Sequence, residues 1–205
     1  MAKSLFDPQH SLWHWMGKIP EFFLLSSLWL LLSLPVVTLI PASVALYDAV
    51  ARCLRPDEKG VYRRFFRTFW KELGRGLLLS LIWVPLAVLL LWGNHILTMQ
   101  VELGRASAFA FAYQVSFLLP IAVLNWLVAL ESRFVYGYWQ LQKTAVAVML
   151  SYLPYTGVLL LVLAGAVALC TYVPVLIFLV PAVAATVQSV TIEKVFRKML
   201  QEEEQ

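Results

Sequence analysis

Uncharged apolar runs of about twenty residues recur along this chain, and no other feature constrains its fold as strongly. As a helix rising ~1.5 Å per residue, each run is long enough to cross ~30 Å of hydrocarbon. Hydrophobic residues make up 61% of the 205 and charged residues only 14%, so too little polar surface remains to cover a soluble core. Barrel strands would alternate apolar with polar residues, and a run such as LLLSLIWVPLAVLLLW does not. The reading is an all-α, polytopic transmembrane helical bundle that forms a single integral membrane domain over 1–205. Its five expected spans are Phe22–Ile40, Gly76–Leu97, Ala106–Leu130, Ala145–Leu169 and Tyr172–Ile192.

The first run is too long for a signal-peptide core, and cleavage near Ser43, Val44 and Ala45 would strand a basic loop outside, so it is read as a span. That loop, 51–75, holds Arg52, Arg55, Lys59, Arg63, Arg64, Arg67, Lys71 and Arg75, eight of the sixteen Lys and Arg residues. Cations cost ~2.5–3.5 kcal/mol each at the middle of a bilayer, which pins the loop in the cytoplasm. Alternation then places the C-terminus in the cytoplasm and the N-terminus outside. Should Pro35 and Pro41 break the first run into two half-spans, the N-terminus returns to the cytoplasm.

Within the loop, VYRRFFRTFWKEL sets Tyr62, Phe65, Phe66, Phe69, Trp70 and Leu73 at helical spacing against Arg63, Arg64, Arg67 and Lys71. Such a segment is expected to lie as an amphipathic interfacial helix on the anionic inner leaflet. Arg63, Arg64, Phe66, Arg67, Trp70 and Lys71 form the candidate surface for docking lipid or a partner. Leu12, Trp13, Trp15 and Met16 read as a second interfacial anchor.

A shift of 69 residues lays Arg64, Phe65, Trp70 and Pro85 onto Arg133, Phe134, Trp139 and Pro154, with three leucine matches beside them. This pattern suggests two parallel repeats, each an interfacial aromatic helix followed by a hairpin of spans. Pro85, Pro120, Pro154 and Pro181 place a kink in each of the last four spans.

The chemistry of enzymes is missing from the sequence. It has no phosphate-cradling glycine loop, no nucleophile elbow and no zinc-binding histidine pair with its carboxylate. His10 and His14 stand four apart among tryptophans and read as part of an interfacial anchor. Cys53 and Cys170 read as small apolar fillers, unable to pair across the bilayer. No cofactor, metal or nucleic acid is expected, since the positive charge is confined to a loop. The span interiors offer Gln114, Asn125, Ser80 and Ser116 but no acid or histidine for an ion path. Asn125 reads as a hydrogen bond between helices, and His95, Asn94 and Glu102 as a polar group at an outer mouth.

Several stretches resemble the YesL family of bacterial multi-pass membrane proteins. They are Asp7 with Pro8, the Leu34–Thr38 break, Ala45–Tyr47 in SVALYDAV, and Phe65 with Phe66 in FFRTFWKEL. The resemblance implies the bacterial cytoplasmic membrane and an association with carbohydrate uptake through ABC-type sugar import, and it implies no catalytic residue. The functional expectation is an accessory or regulatory subunit beside another membrane transport component. The alternative is a small transporter or channel.

Overall fold

A computed structural model describes residues 18–54, 60–102 and 107–203. Arg55, Lys59, the histidines and aromatics before residue 17, and Asp7 with Pro8 lie outside the described residues. Those described form seven α-helices: α1 (Ile19–Ser33), α2 (Leu39–Ala49), α3 (Val61–Glu102), α4 (Ser107–Arg133), α5 (Tyr138–Ser151), α6 (Leu153–Tyr172) and α7 (Val180–Glu203). Among them, Val36–Cys53, Val61–Leu97 and Leu153–Tyr172 are long and apolar enough to cross a membrane.

The first apolar run is not one helix. Pro35 lacks the N–H that would continue α1; Thr38 Oγ1 donates to the Leu32 carbonyl at the end of α1, and the Pro35 carbonyl accepts the Thr38 backbone N–H at 2.8 Å. Beyond this turn α2 folds back on α1. Trp29 Nε1 donates to Ser43 Oγ at 3.2 Å, a contact that helices continuing in one direction could not make across fourteen residues. At the open end of the hairpin, Phe22 in the first turn of α1 lies in one buried cluster with Val61 and Phe65 at the start of α3. The first turn of α1 and the first turn of α3 therefore share one end of the molecule.

Helix α2 is the most enclosed element, with nine of its residues buried. Ala42, Ala45 and Ala49 lie in a cluster with Phe22 and Leu25 of α1, Val61, Phe65 and Phe69 of α3, and Ala182 and Ala185 of α7. Small side chains allow such helices to approach closely, the usual basis of packing where lipid removes the hydrophobic drive. A second cluster joins Trp126, Leu127 and Leu130 of α4 to Leu141 and Val148 of α5 and to Ile192, Val195 and Phe196 of α7.

No break separates the basic segment from the span that follows it. Val61–Glu102 is a single helix of 42 residues, about 63 Å long and twice the hydrocarbon thickness. Its first turns continue because Val61, Phe65 and Phe69, spaced four apart, are buried against α2 and need no lipid surface to lie on. The expected Ala145–Leu169 span is instead divided at Tyr152. There Thr156 Oγ1 receives the Trp126 indole N–H at 2.9 Å and donates toward the Met149 and Tyr152 carbonyls. Trp126, next to Asn125, thus makes the cross-helix bond in α4. The last run opens on a 3-10 turn, Pro174–Phe178, before α7 begins, and Ser26 Oγ of α1 accepts from Ala182 N there at 3.0 Å.

The outward faces of α3 and α6 are apolar. Leu78, Leu81, Leu89 and Trp92 of α3 and Leu161 and Val167 of α6 are all more than half exposed, surfaces suited to lipid and hostile to water.

Gly76 marks the closest approach of α2 and α3. A Cβ there would lie 2.7 Å from Pro41 Cβ. Gly76→Leu is expected to cost ~1–3 kcal/mol by overpacking and to lower Tm in detergent. Gly74→Leu, with nothing within 4 Å of its Cβ, should leave Tm unchanged.

Candidate functional site

Helix α2 ends on a carboxylate. Asp48 is buried, and such a group is tolerated only when its oxygens are filled. Arg64 Nε donates to Oδ2 at 2.8 Å and an Arg64 Nη to Oδ1 at 3.2 Å, while Thr68 Oγ1 donates to Oδ2 at 2.7 Å. Arg52 Nε lies 3.1 Å from Oδ1. Arg52 sits on the π-helical turn Val50–Leu54, and one of its Nη atoms reaches the Ser132 carbonyl at the end of α4.

The neighbouring junctions repeat this pattern with other helices. Arg75 Nε of α3 lies 2.9 Å from Glu131 Oε1 of α4, and an Arg75 Nη donates to the Tyr136 carbonyl. Arg133 pairs with Glu193 of α7, and within α3 itself Lys71 pairs with its neighbour Glu72 at 2.8 Å.

Between these junctions lies a cleft of about 770 Å³, bounded by the end of α2, the first turns of α3 and the end of α4. Arg52, Arg63, Arg64, Arg67, Lys71 and Arg133 line it, against only Asp48, Glu72 and Glu131 among the described acids. The structure therefore brings Arg63, Arg64, Arg67 and Lys71 to one cleft, while Phe66 and Trp70 are exposed on α3 and do not line it. Asp48, Thr68, Glu72, Glu131 and Glu193 were not among the residues singled out from sequence. One signal did exist for Asp48, a lone acid inside the apolar stretch SVALYDAV.

The residues matched by the proposed repeat share some placements and differ in others. Arg64 and Arg133 both line the cleft, each paired with an acid of another helix, and Trp70 and Trp139 are both exposed. Pro85 lies inside unbroken α3, whereas Pro154 stands in the first turn of α6.

A second cavity of about 420 Å³ lies between α1, α2, α6 and α7. Its lining is mostly apolar, with Trp29, Ser43, Tyr47 and Gln188 as the main polar groups and Cys170 at its edge. The Gln188 amide donates to the Leu159 carbonyl at 3.3 Å. Cys53 and Cys170 are both free thiols. Among the described residues no three His, Cys, Asp or Glu side chains are grouped as metal ligands. Asn94 and His95 lie on α3, and the side chains of Glu102, Gln114 and Ser116 lie outside the description.

Residues 22–94 match the model of a family described as a protein of unknown function, DUF624. The matched part runs from α1 through most of α3 and so carries Asp48 and the basic side of the cleft. No curated protein and no solved structure matches the chain.

Glu131 has an unusual protonation. Its carboxyl is pushed up to about 7: burial raises it most, Arg75 draws it back down, and the Glu72 carboxyl beside it adds to the rise. The folded chain thus holds a proton that an unfolded carboxyl near 4.5 has lost. Because the native state binds more protons in this window, the group's contribution to stability falls as pH rises from about 4.5 through about 7. Glu131→Gln, which mimics the protonated form, should match the wild-type Tm at pH 5 and exceed it at pH 8. An equal difference at both pH values would show that Glu131 does not titrate in this range.

Proposed function

We propose that this chain is a non-enzymatic integral protein of the bacterial cytoplasmic membrane, acting as an accessory or regulatory subunit that docks a partner at its basic end. The observation that carries the reading is the convergence of Arg63, Arg64, Arg67 and Lys71 on one cleft, with Phe66 and Trp70 exposed on the same helix. Positive charge that served only to set topology would need no such convergence. The YesL resemblance, finer than the DUF624 match, supports a partner that belongs to carbohydrate uptake by ABC-type import. The carrier reading gains less support, because the cavity between α1, α2, α6 and α7 presents few hydrogen-bonding groups to a polar solute.

In this reading the basic end faces the cytoplasm, and the α1–α2 hairpin enters and leaves the bilayer on that side. α1 has fifteen residues, about 22 Å, so the hairpin adds two part-crossings to α3, α4, α6 and α7. Lys18 then lies on the cytoplasmic side, unlike the arrangement that follows from one crossing. In a cysteine-free background, Ile19→Cys should react with an impermeant maleimide only after cells are permeabilised, while Val175→Cys reacts from outside. Labelling of residue 19 in intact cells would reverse the assignment.

Docking is tested by replacing Arg63, Arg67 and Lys71 with Gln, which leaves the Arg64–Asp48 pair intact. The remaining loop cations preserve topology, so the variant should accumulate and lose an importer subunit that co-purifies with the wild type in mild detergent. Retention of that subunit at wild-type stoichiometry would remove the docking role.

A further inference from the structure

Among the described residues the cleft carries more cations than acids. Six cations line it against three acids; Arg52, Arg64, Lys71 and Arg133 are ion-paired, while Arg63 and Arg67 form no ion pair with any described residue. Two unpaired guanidiniums beside these pairs leave a positive potential in the concavity that draws in anions. Five of the six are arginines, whose planar N–H forks match the oxygens of a phosphate in a way that a lysine point charge does not.

Three of these arginines are held in place by ion pairs. Asp48 anchors Arg52 and Arg64, and Glu193 of α7 anchors Arg133. A guanidinium carries five N–H donors. These ion pairs fix the guanidinium planes, so much of the ordering is complete before binding. Loop charge alone does not account for Arg133, which arrives from α4, far from the basic segment in sequence, and lines the opposite wall.

We infer that the cleft between the α2 end, the start of α3 and the end of α4 is a binding site for a phosphate-bearing anion, with Arg63 and Arg67 as its unpaired contacts and Arg52, Arg64 and Arg133 as its oriented ones. The phosphate belongs either to a lipid headgroup at the inner leaflet or to a soluble phosphorylated compound. The site does not depend on the docking reading, because its test uses the purified chain with no partner present.

The probes are inorganic pyrophosphate and phosphatidylglycerol. The full chain is purified in neutral detergent at low salt, and pyrophosphate binding is followed by calorimetry. Saturable binding is expected, weakened at least tenfold by Arg63→Gln with Arg67→Gln, two exposed positions whose loss breaks no described ion pair. Arg67→Lys, which keeps the charge and removes the fork, should also weaken binding. Lys143→Gln with Lys194→Gln, an equal loss of charge elsewhere, should change it less than twofold. Absence of saturable binding, or equal weakening by the two double variants, overturns the site.

The source is decided in nanodiscs. If phosphatidylglycerol in the disc raises the apparent Kd for pyrophosphate relative to discs that carry the same charge on a phosphate-free anionic lipid, a headgroup fills the cleft. If affinity is the same in both discs, the cleft serves a soluble phosphate. Either result keeps the phosphate site.

Discussion

Asp48 holds together the end of the molecule on which its function is argued. A buried carboxylate is costly unless its oxygens are filled, and here Arg64, Thr68 and Arg52 fill them from two other segments. This fixes the start of α3 against the end of α2. It also sets the orientation of two guanidiniums and, through the Arg52 contact with the Ser132 carbonyl, the position of the end of α4. The Arg75–Glu131 and Arg133–Glu193 pairs extend the same logic to α4 and α7. Each pair is cross-helical, so the helices meet at this end through charge and elsewhere through apolar side chains, small ones around α2 and large ones around Trp126.

The rest of the architecture follows from where apolar surface is satisfied. Toward lipid, α3 and α6 present leucines, valines and tryptophan with no polar covering. Toward protein, α2 presents alanines and is enclosed almost completely. Polar groups at membrane depth are used locally, to close the breaks at Pro35 and Tyr152 or to tie α1 to the start of α7. Irregular backbone in an apolar medium requires such partners.

The all-helical, membrane-suited character of the chain was legible because it depends on run length and charge alone. Pro35 marked the break in the first run for the same local reason, a missing N–H. The fate of the aromatic-basic segment was less legible. Phe65 and Phe69 are buried in protein while Phe66 and Trp70 are exposed, yet all four are aromatic and follow one helical period. Lipid and protein core are chemically alike to a phenyl ring, so periodicity identifies an apolar face without saying what covers it. The continuous helix from Val61 was hidden for the same reason, whereas Pro154 marked the span that is interrupted at Tyr152.

The sequence by itself determined that the chain is helical, that several of its runs can cross a bilayer, and where its positive charge is concentrated, because these are sums over neighbouring residues. Only the tertiary structure decided that Arg133 joins Arg63, Arg64 and Arg67 around one cleft, and that Asp48, Glu131 and Glu193 hold that cleft's walls. Such pairings join residues far apart in the chain, and their strength comes from exclusion of water at the junctions, a property that exists only once the helices have packed.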